Sequence, residues 1–147
     1  MWEGLILAAS GLQSGEILAV DANRYLVQSA IADPVSGEIA WSGAKTNTEL
    51  THQRYVETVD EGGNLVQSWS NINVSVAAFG QIVTAELRQY DPGLLDSCKY
   101  TFQVASGIAA LELDRLVMGG KNYQVEAIDP IMLPGVIRIQ AGSDNRI

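Results

Sequence analysis

The sequence is short of the residues on which most enzyme and metal sites depend. Its 147 residues include one histidine, His52, and one cysteine, Cys98. A structural zinc site needs four such ligands, and one cysteine cannot form a disulfide within the chain. The carboxylates lack EF-hand spacing, and Gly119-Gly120-Lys121 lacks the rest of a phosphate-binding loop. We therefore predict no catalytic residue, no metal site and no cofactor.

His52 is the one residue of the chain suited to act as a general base near neutral pH. Nucleophilic catalysis would require a nucleophile within hydrogen-bonding reach of it. The chain has no nucleophile motif, and His52 lies in a polar stretch, residues 48–54. We interpret it as an ordinary surface histidine.

Basic residues are also scarce. Nine Lys and Arg against seventeen Asp and Glu give a net charge of -8. Such a surface repels nucleic-acid phosphates and anionic lipids, so we expect no sequence-specific DNA or RNA binding and no membrane partner. An acidic wall does allow DNA to pass without being held. The apolar start, residues 5–9, is too short to span a bilayer, and we interpret it as an edge strand or short helix.

What the sequence does contain is a series of short β-rich runs separated by Gly, Asn, Asp and Pro. This spacing is typical of a sandwich or barrel. We predict a mainly β chain: a small antiparallel β-barrel or sandwich with hairpin extensions, one long loop and little helix. The predicted hairpins pair residues 17–20 with 24–29, 28–32 with 38–41, 54–59 with 64–69, and 114–118 with 121–128, and a last strand covers 136–140.

Alternation within the strands predicts which side chains form the core. In residues 71–76 the apolar side chains alternate with Asn and Ser, so one face of the strand should be buried and the other wet. The strand after Gly119-Gly120, which form a two-residue hairpin turn, alternates in the same way. The predicted buried set is Ile72, Val74, Val76, Tyr123, Val125 and Ile139.

Three stretches depart from the strand pattern. Thr46 and Glu49 have the spacing of a helix capping box, and residues 106–113 fit either a short helix or a strand. Residues 84–99 lose the pattern around Asp91-Pro92-Gly93 and are predicted to be the longest exposed loop. Because exposed leucines there would be unusual, we expect Leu94 and Leu95 to contact a neighbouring subunit or partner.

Part of the sequence resembles a known family. The matching features are the Asp-Glu-Gly-Gly-Asn-Leu-Val-Gln-Ser-Trp stretch at 60–69, the alternating strand through Val76, the long loop, and residues 113–117 followed by 120–125 and Ile128. In this order, between Arg54 and Ile139, they resemble the head-closure, or stopper, proteins of the head-tail connector in the neck of tailed bacteriophages.

The resemblance implies a fold and a function. It implies one β domain over residues 1–147, with a barrel at 54–147 and an N-terminal β extension at 1–53. The function implied is that of a structural virion protein, assembled in the host cytoplasm. It would form a homo-oligomeric ring between a portal or adaptor protein and a tail protein, letting DNA pass and helping to retain it. The implied lumen or partner loop comprises Glu86, Arg88, Tyr90, Asp91, Pro92, Gly93, Leu94, Leu95 and Asp96.

Other functions fit the same residues. A monomeric ligand- or carbohydrate-binding β module is one alternative, another ring protein such as a tail terminator is a second, and a small enzyme is a third. The molecular mass in solution separates the β module from the ring protein, because a module stays monomeric whereas a ring protein forms closed oligomers.

Overall fold

The computed structural model describes residues 1–7 and 10–146, and most of them lie in β-strands. This confirms the predicted mainly β class. The strands are β1 Trp2–Leu7, β2 Ile17–Val20, β3 Asn23–Asp33, β4 Glu38–Lys45, β5 Thr48–Val59, β6 Leu65–Ile82, β7 Tyr100–Ala105, β8 Arg115–Met118, β9 Lys121–Leu133 and β10 Val136–Ser143. One α-helix, α1, spans Ala85–Tyr90, and Ser106–Ile108 forms a 3-10 turn.

The strands form two sheets. An antiparallel sheet has the order β1-β4-β3-β2, and a closed antiparallel barrel has the order β10-β7-β6-β5-β8-β9. All four predicted hairpins and the last strand are present. The predicted division between residues 53 and 54 falls inside β5, because residues 48–53 already belong to the barrel. Leu50 and His52 of that stretch are buried in it.

Each sheet has its own apolar cluster. The barrel core is aliphatic with two aromatic rings, and its fully buried side chains include Leu50, Phe102, Leu116, Val125 and Ile139. The open sheet packs an aromatic group in which Tyr25 contacts both Trp2 and Trp41, with ring centroids 5.5 and 5.6 Å apart. The predicted edge strand at the N-terminus is β1, although Ala8 and Ala9 lie outside the described residues.

The two sheets meet at a tight junction. The β9–β10 turn packs against the turn that precedes β2, where Gly15 and Gly135 both have positive φ and lie too close for a side chain on either. The Ser106 N–H donates to the Gly135 carbonyl at 2.9 Å, and Gln28 of β3 donates to Gln103 of β7. The close approach of the two glycines and the Gln28–Gln103 hydrogen bond hold the open sheet against the barrel, while the Ser106–Gly135 bond fixes the β9–β10 turn within the barrel.

Four of the six predicted core residues are buried, but two are not. Val76, Tyr123, Val125 and Ile139 are at most 8% exposed. Ile72 and Val74 are 44% and 63% exposed, so that part of the prediction is wrong. The cause is a bulge: Leu50 pairs with Val76 but His52 pairs with Asn73, and Ser75 has a φ of 53°. One extra residue reverses which side chains face inward.

The helix predictions also need correction. Thr46 and Glu49 do not cap a helix, because β5 begins at Thr48. Glu49 instead accepts a hydrogen bond from Arg24 at 2.8 Å, and the Thr46 hydroxyl donates to the Arg24 carbonyl. Residues 106–113 contain only the 3-10 turn. Among residues 1–7 and 10–146, no helix is long and apolar enough to cross a bilayer.

Candidate protein-binding surface

The β5–β6 hairpin extends beyond the barrel as a two-stranded ribbon. Strand β5 pairs with β8 only over residues 51–53, but it pairs with β6 from Thr48 to the end of β5 at Val59. We call residues 54–70 the arm and residues 57–68 its outer part, or arm tip. The root is the place where the arm meets the barrel, near His52, Arg54 and Trp69. Its turn is held by the Asp60 carboxylate, which accepts from the N–H groups of Gly62 and Asn64 at 2.9 and 2.8 Å. These backbone hydrogen bonds lower the pKa of Asp60, and the bond from the Asn64 N–H has the larger effect on it.

No other part of the described chain packs over the outer part of the arm. All of residues 57–68 are exposed, including Val59, Leu65 and Val66. Val59 pairs directly with Leu65, so the two form an apolar pair on one face near the tip. An isolated two-stranded hairpin is marginally stable in water, and its unpaired strand edges are templates for association. The arm therefore has the properties of a protein-binding element.

A buried polar network fixes the root of the arm to the barrel. Asp114 precedes β8, and its carboxylate accepts from Arg54 Nε at 3.0 Å and Arg54 Nη2 at 2.8 Å. It also lies 2.7 Å from His52 Nε2 and accepts from the Leu111 N–H at 2.9 Å. Burial raises the pKa of Asp114, but the hydrogen bonds from Arg54, His52 and Leu111 outweigh it and lower the pKa overall.

The interpretation of His52 as a surface histidine is wrong, because the residue is 0% exposed. It faces inward because it lies two residues after the buried Leu50 on the same face of β5, and the bulge in β6 sets it opposite Asn73. The Asn73 amide nitrogen lies 3.0 Å from both His52 Nδ1 and the Ile108 carbonyl. Since that nitrogen must donate to the carbonyl, His52 Nδ1 accepts from it and Nε2–H donates to Asp114. Both ring nitrogens are therefore occupied within the protein. Through them, His52 links β5 and β6 at the arm root to the turn before β8.

A second network clamps Trp69 of the arm. The guanidinium carbons of Arg115 and Arg146 lie 3.8 and 4.7 Å from the centroid of its ring system, and Tyr55 contacts it edge-on at 5.5 Å. Both arginines bind Asp144, with Nε to carboxylate distances of 2.8 and 2.9 Å. Burial acts to raise the pKa of Asp144, but hydrogen bonds from Arg146 and Arg115 outweigh it and hold the pKa far below its usual range.

Beside the arm root lies an open cleft of about 800 Å³. Its lining includes Tyr55 and Trp69 of the arm and the turn before β8. Leu111 and Leu113 on that turn are 55% and 62% exposed, and Leu113 has a φ of 72°. A leucine in the left-handed region is strained, and the Asp114 carboxylate, which binds the Leu111 N–H, helps hold this turn. The cleft thus has an apolar rim formed by Leu111 and Leu113, and below it lies the Asp114 network, which is fixed in place.

The predicted loop at residues 84–99 is more ordered than the sequence indicated. It begins with α1, whose Leu87 N–H is capped by the Thr84 hydroxyl at 3.2 Å. Arg88 Nη1 donates to the Leu95 carbonyl at 2.8 Å, and Nη2 donates to the carbonyls of Asp96 and Cys98 at 3.1 and 2.8 Å. One arginine therefore holds the segment together.

The same segment is also fixed to the barrel. Asp91 pairs with Arg138 of β10 at 2.7 Å, and Gln140 bonds the Gly93 carbonyl and the Leu95 N–H at 3.1 and 2.9 Å. Leu94 is buried within its own chain, so it does not face a partner. Tyr90 is 80% exposed and Leu95 42% exposed. The other predicted loop residues lie on the surface of this segment or hold it in place, namely Glu86, Arg88, Asp91, Pro92, Gly93 and Asp96.

The turn at Gly119 and Gly120 is where the sequence predicted it, between β8 and β9, and both residues have positive φ. Sequence reasoning missed the arm-root networks. One signal was available: Asp114 and Arg115 begin the predicted strand at 114–118, whose other residues are all apolar, and charges are rarely buried unless they are paired.

Within the described ranges, no group of three or more His, Cys, Asp or Glu side chains is arranged to hold a metal ion. No family model matches the chain, and no curated protein is significantly similar to it in sequence.

Proposed function

We propose that this chain is a structural protein of a tailed-bacteriophage neck, where copies of it form a ring that joins the DNA-filled head to the tail. The observation that carries the proposal is the arm. Its outer part exposes apolar side chains and strand edges, while its root is fixed by two buried polar networks. A rigidly mounted, uncovered ribbon is suited to bind another protein and has no evident use in an isolated monomer.

The position in the neck is supported by the residues that carry the family resemblance. The stretch at 60–69 forms the tip and outer β6 strand of the arm, and the hairpin at Gly119 and Gly120 lies in the closed barrel. A net charge of -8 suits a ring through which DNA passes without being held. The proposed partners are a portal or adaptor protein on one side and a tail protein on the other.

The segment of residues 86–96 is the proposed second contact, facing the lumen or a neighbouring protein. Tyr90 is its most exposed aromatic side chain, and Arg88 holds the segment in a defined shape. A fixed surface of this kind is better suited to a specific contact than a mobile loop, because little conformational entropy is lost on binding.

Complementation of a phage that lacks this gene tests the proposal, with packaged DNA and tail attachment scored by electron microscopy. The wild-type gene should restore DNA-filled, tailed particles, and its product should be found in the neck. Particles that are normal without the gene would rule out the proposed function. Tyr90→Ser tests the second contact: it should leave the protein folded but reduce the fraction of tailed, DNA-filled particles.

A monomeric ligand-binding module is the second candidate, and the cleft favours it. Tyr55 and Trp69 line that cleft, and aromatic rings in a concave surface are a common way to bind small ligands, including sugars. Native mass spectrometry over a range of concentrations separates the candidates. A module stays monomeric throughout, whereas the ring protein forms closed oligomers. A tail terminator also forms a ring, so its position in the particle distinguishes it.

A further inference from the structure

The arm and the cleft are two unlike surfaces on one chain, and we propose that the arm tip of one copy binds in the cleft of the next copy. This inference rests on the proposed ring and specifies the interface that would build it. A contact between unlike surfaces leaves a free arm at one end and a free cleft at the other. Repetition of that contact gives a closed ring when the rotation between neighbours closes.

The apolar parts of the two surfaces are suited to each other. On the arm, the paired Val59 and Leu65 are 68% and 60% exposed. On the rim of the cleft, Leu111 and Leu113 are exposed to a similar degree. The cleft volume of about 800 Å³ is within the range of protein pockets that enclose ligands of several side chains' size. If Val59 and Leu65 pack against Leu111 and Leu113, the apolar area that both surfaces expose in a monomer is removed from water, which favours association.

The charges of the two surfaces are also complementary. The arm tip carries exposed Glu57, Asp60 and Glu61. In the cleft, Arg54 and Arg146 keep 34% and 35% of their side chains exposed, while their carboxylate partners Asp114 and Asp144 lie beneath them at 5% and 0%.

A segment that enters the cleft therefore contacts the guanidinium groups of Arg54 and Arg146 before it reaches the buried carboxylates of Asp114 and Asp144. Two arginines and two carboxylates, Glu112 and Asp114, line the cleft, so its formal charge is balanced. The attraction for the arm tip comes from position, because Asp114 is buried and Glu112 is the one exposed carboxylate among the described residues of the lining.

Cysteine cross-linking tests the contact and its direction. Leu65→Cys places a thiol on the arm and Leu111→Cys places one on the cleft rim. The native Cys98 does not interfere, because it is 1% exposed and burial raises the pKa of its thiol. Under mild oxidation, the double variant should give a ladder of covalent multimers. Each single variant alone should give none, and a mixture of the two single variants should stop at dimers.

The matched control pairs Leu111→Cys with Val35→Cys, since Val35 is an exposed apolar residue of the β3–β4 turn. This control should give no ladder. Wild-type protein under the same oxidant should remain uncross-linked. A ladder from the control as strong as that from the test pair would mean random collision, and it would overturn the proposal.

The remaining outcomes separate this inference from the proposed function. If native mass spectrometry finds closed oligomers but the test pair gives no ladder, the ring is built by another interface and this inference is wrong. If the double variant stops at covalent dimers, the arms are exchanged reciprocally between two copies, which also overturns the inference. If neither oligomers nor cross-links form at any concentration, both this inference and the ring proposal fail.

Charge provides an independent check. Glu57→Gln and Glu61→Gln should each weaken association by about two- to fivefold at low salt, as expected for exposed ion pairs. The effect should shrink as salt screens the charges. Glu3→Gln, at an exposed position of β1 in the open sheet, provides the comparison and should leave association unchanged. Equal effects at all three positions would contradict a specific role for the arm tip.

Discussion

The root and the outer part of the arm are built from the same two strands in opposite surroundings. At the root, His52 and Arg54 contact Asp114 in the turn before β8. Trp69 contacts Arg115 of β8 and Arg146 after β10, and both arginines bind Asp144. Further out, residues 57–68 contact mainly each other and solvent. The comparison indicates that the barrel stabilises the root, whereas, within the described chain, the outer arm is held only by its own strand pairing and turn. In the proposed ring, a neighbouring copy would cover it.

The largest expected effect is at the root. Asp114→Ala leaves the buried His52 and the Arg54 guanidinium without their shared acceptor. Removal of one partner from a buried charged network typically costs about 3–5 kcal/mol, so the free energy of unfolding should fall by that order. Urea denaturation followed by tryptophan fluorescence measures it.

Glu112→Ala is the matched control, because Glu112 is an exposed carboxylate two residues away. Its effect should stay within about 0.5 kcal/mol. A loss of similar size in both variants would mean that the Asp114 network does not hold the root.

The second prediction compares a core residue of β10 with a residue of β6 that the bulge turns outward. Ile139→Ala should destabilise the protein by about 2–5 kcal/mol, because Ile139 is fully buried in the barrel core. Ile72→Ala should cost well under 1 kcal/mol, since the bulge at Ser75 turns Ile72 outward. Equal losses of unfolding free energy would show that Ile72 is buried after all.

The acid stability of the root is the third prediction. Asp114 and Asp144 have a lower pKa in the folded state than the ordinary value of about 3.9. The folded state therefore binds fewer protons, and the stabilisation is present above about pH 4 and is lost as pH falls through the folded pKa values. Urea midpoints should decline from pH 6 to pH 2.5.

Asp114→Asn should be less stable at pH 6 and should lose less on acidification, because one of the two titrating groups is gone. Parallel pH profiles for the variant and the wild type would exclude Asp114 as a source of the acid sensitivity.

Local patterns predicted much of this fold. Hairpins such as the one at Gly119 and Gly120 follow from turn chemistry, and alternation located Val125 and Ile139 in the core. The bulge was not predictable, because Ser75 has no sequence signal for a positive φ and the alternation of Ile72, Val74 and Val76 continues through it.

The arm root was harder to predict than the strands, since its partners are far apart in sequence. His52 and Asp114 are separated by 62 positions, and each looks like a surface residue in its own segment. Asp144 and Arg146 come after the last predicted strand, where sequence alone indicates a polar end. Only closure of the barrel brings Asp114, Asp144 and Arg146 to the side of His52, Arg54 and Trp69.

The smallest expected effect on stability is in the outer arm, and it distinguishes the arm most clearly from its root. Leu65→Ser should change the free energy of unfolding by less than about 0.5 kcal/mol, because Leu65 is 60% exposed and has little burial to lose. Association should weaken by about tenfold or more, since burying a leucine side chain contributes about 1.5–3 kcal/mol and 1.4 kcal/mol is a factor of ten. Val35→Ser, in the β3–β4 turn, is the control and should change neither quantity. Urea denaturation gives the stability, and native mass spectrometry over a dilution series gives the association. A variant that associates as well as the wild type would remove the arm from the interface, and one that unfolds more easily by several kcal/mol would place Leu65 with the root.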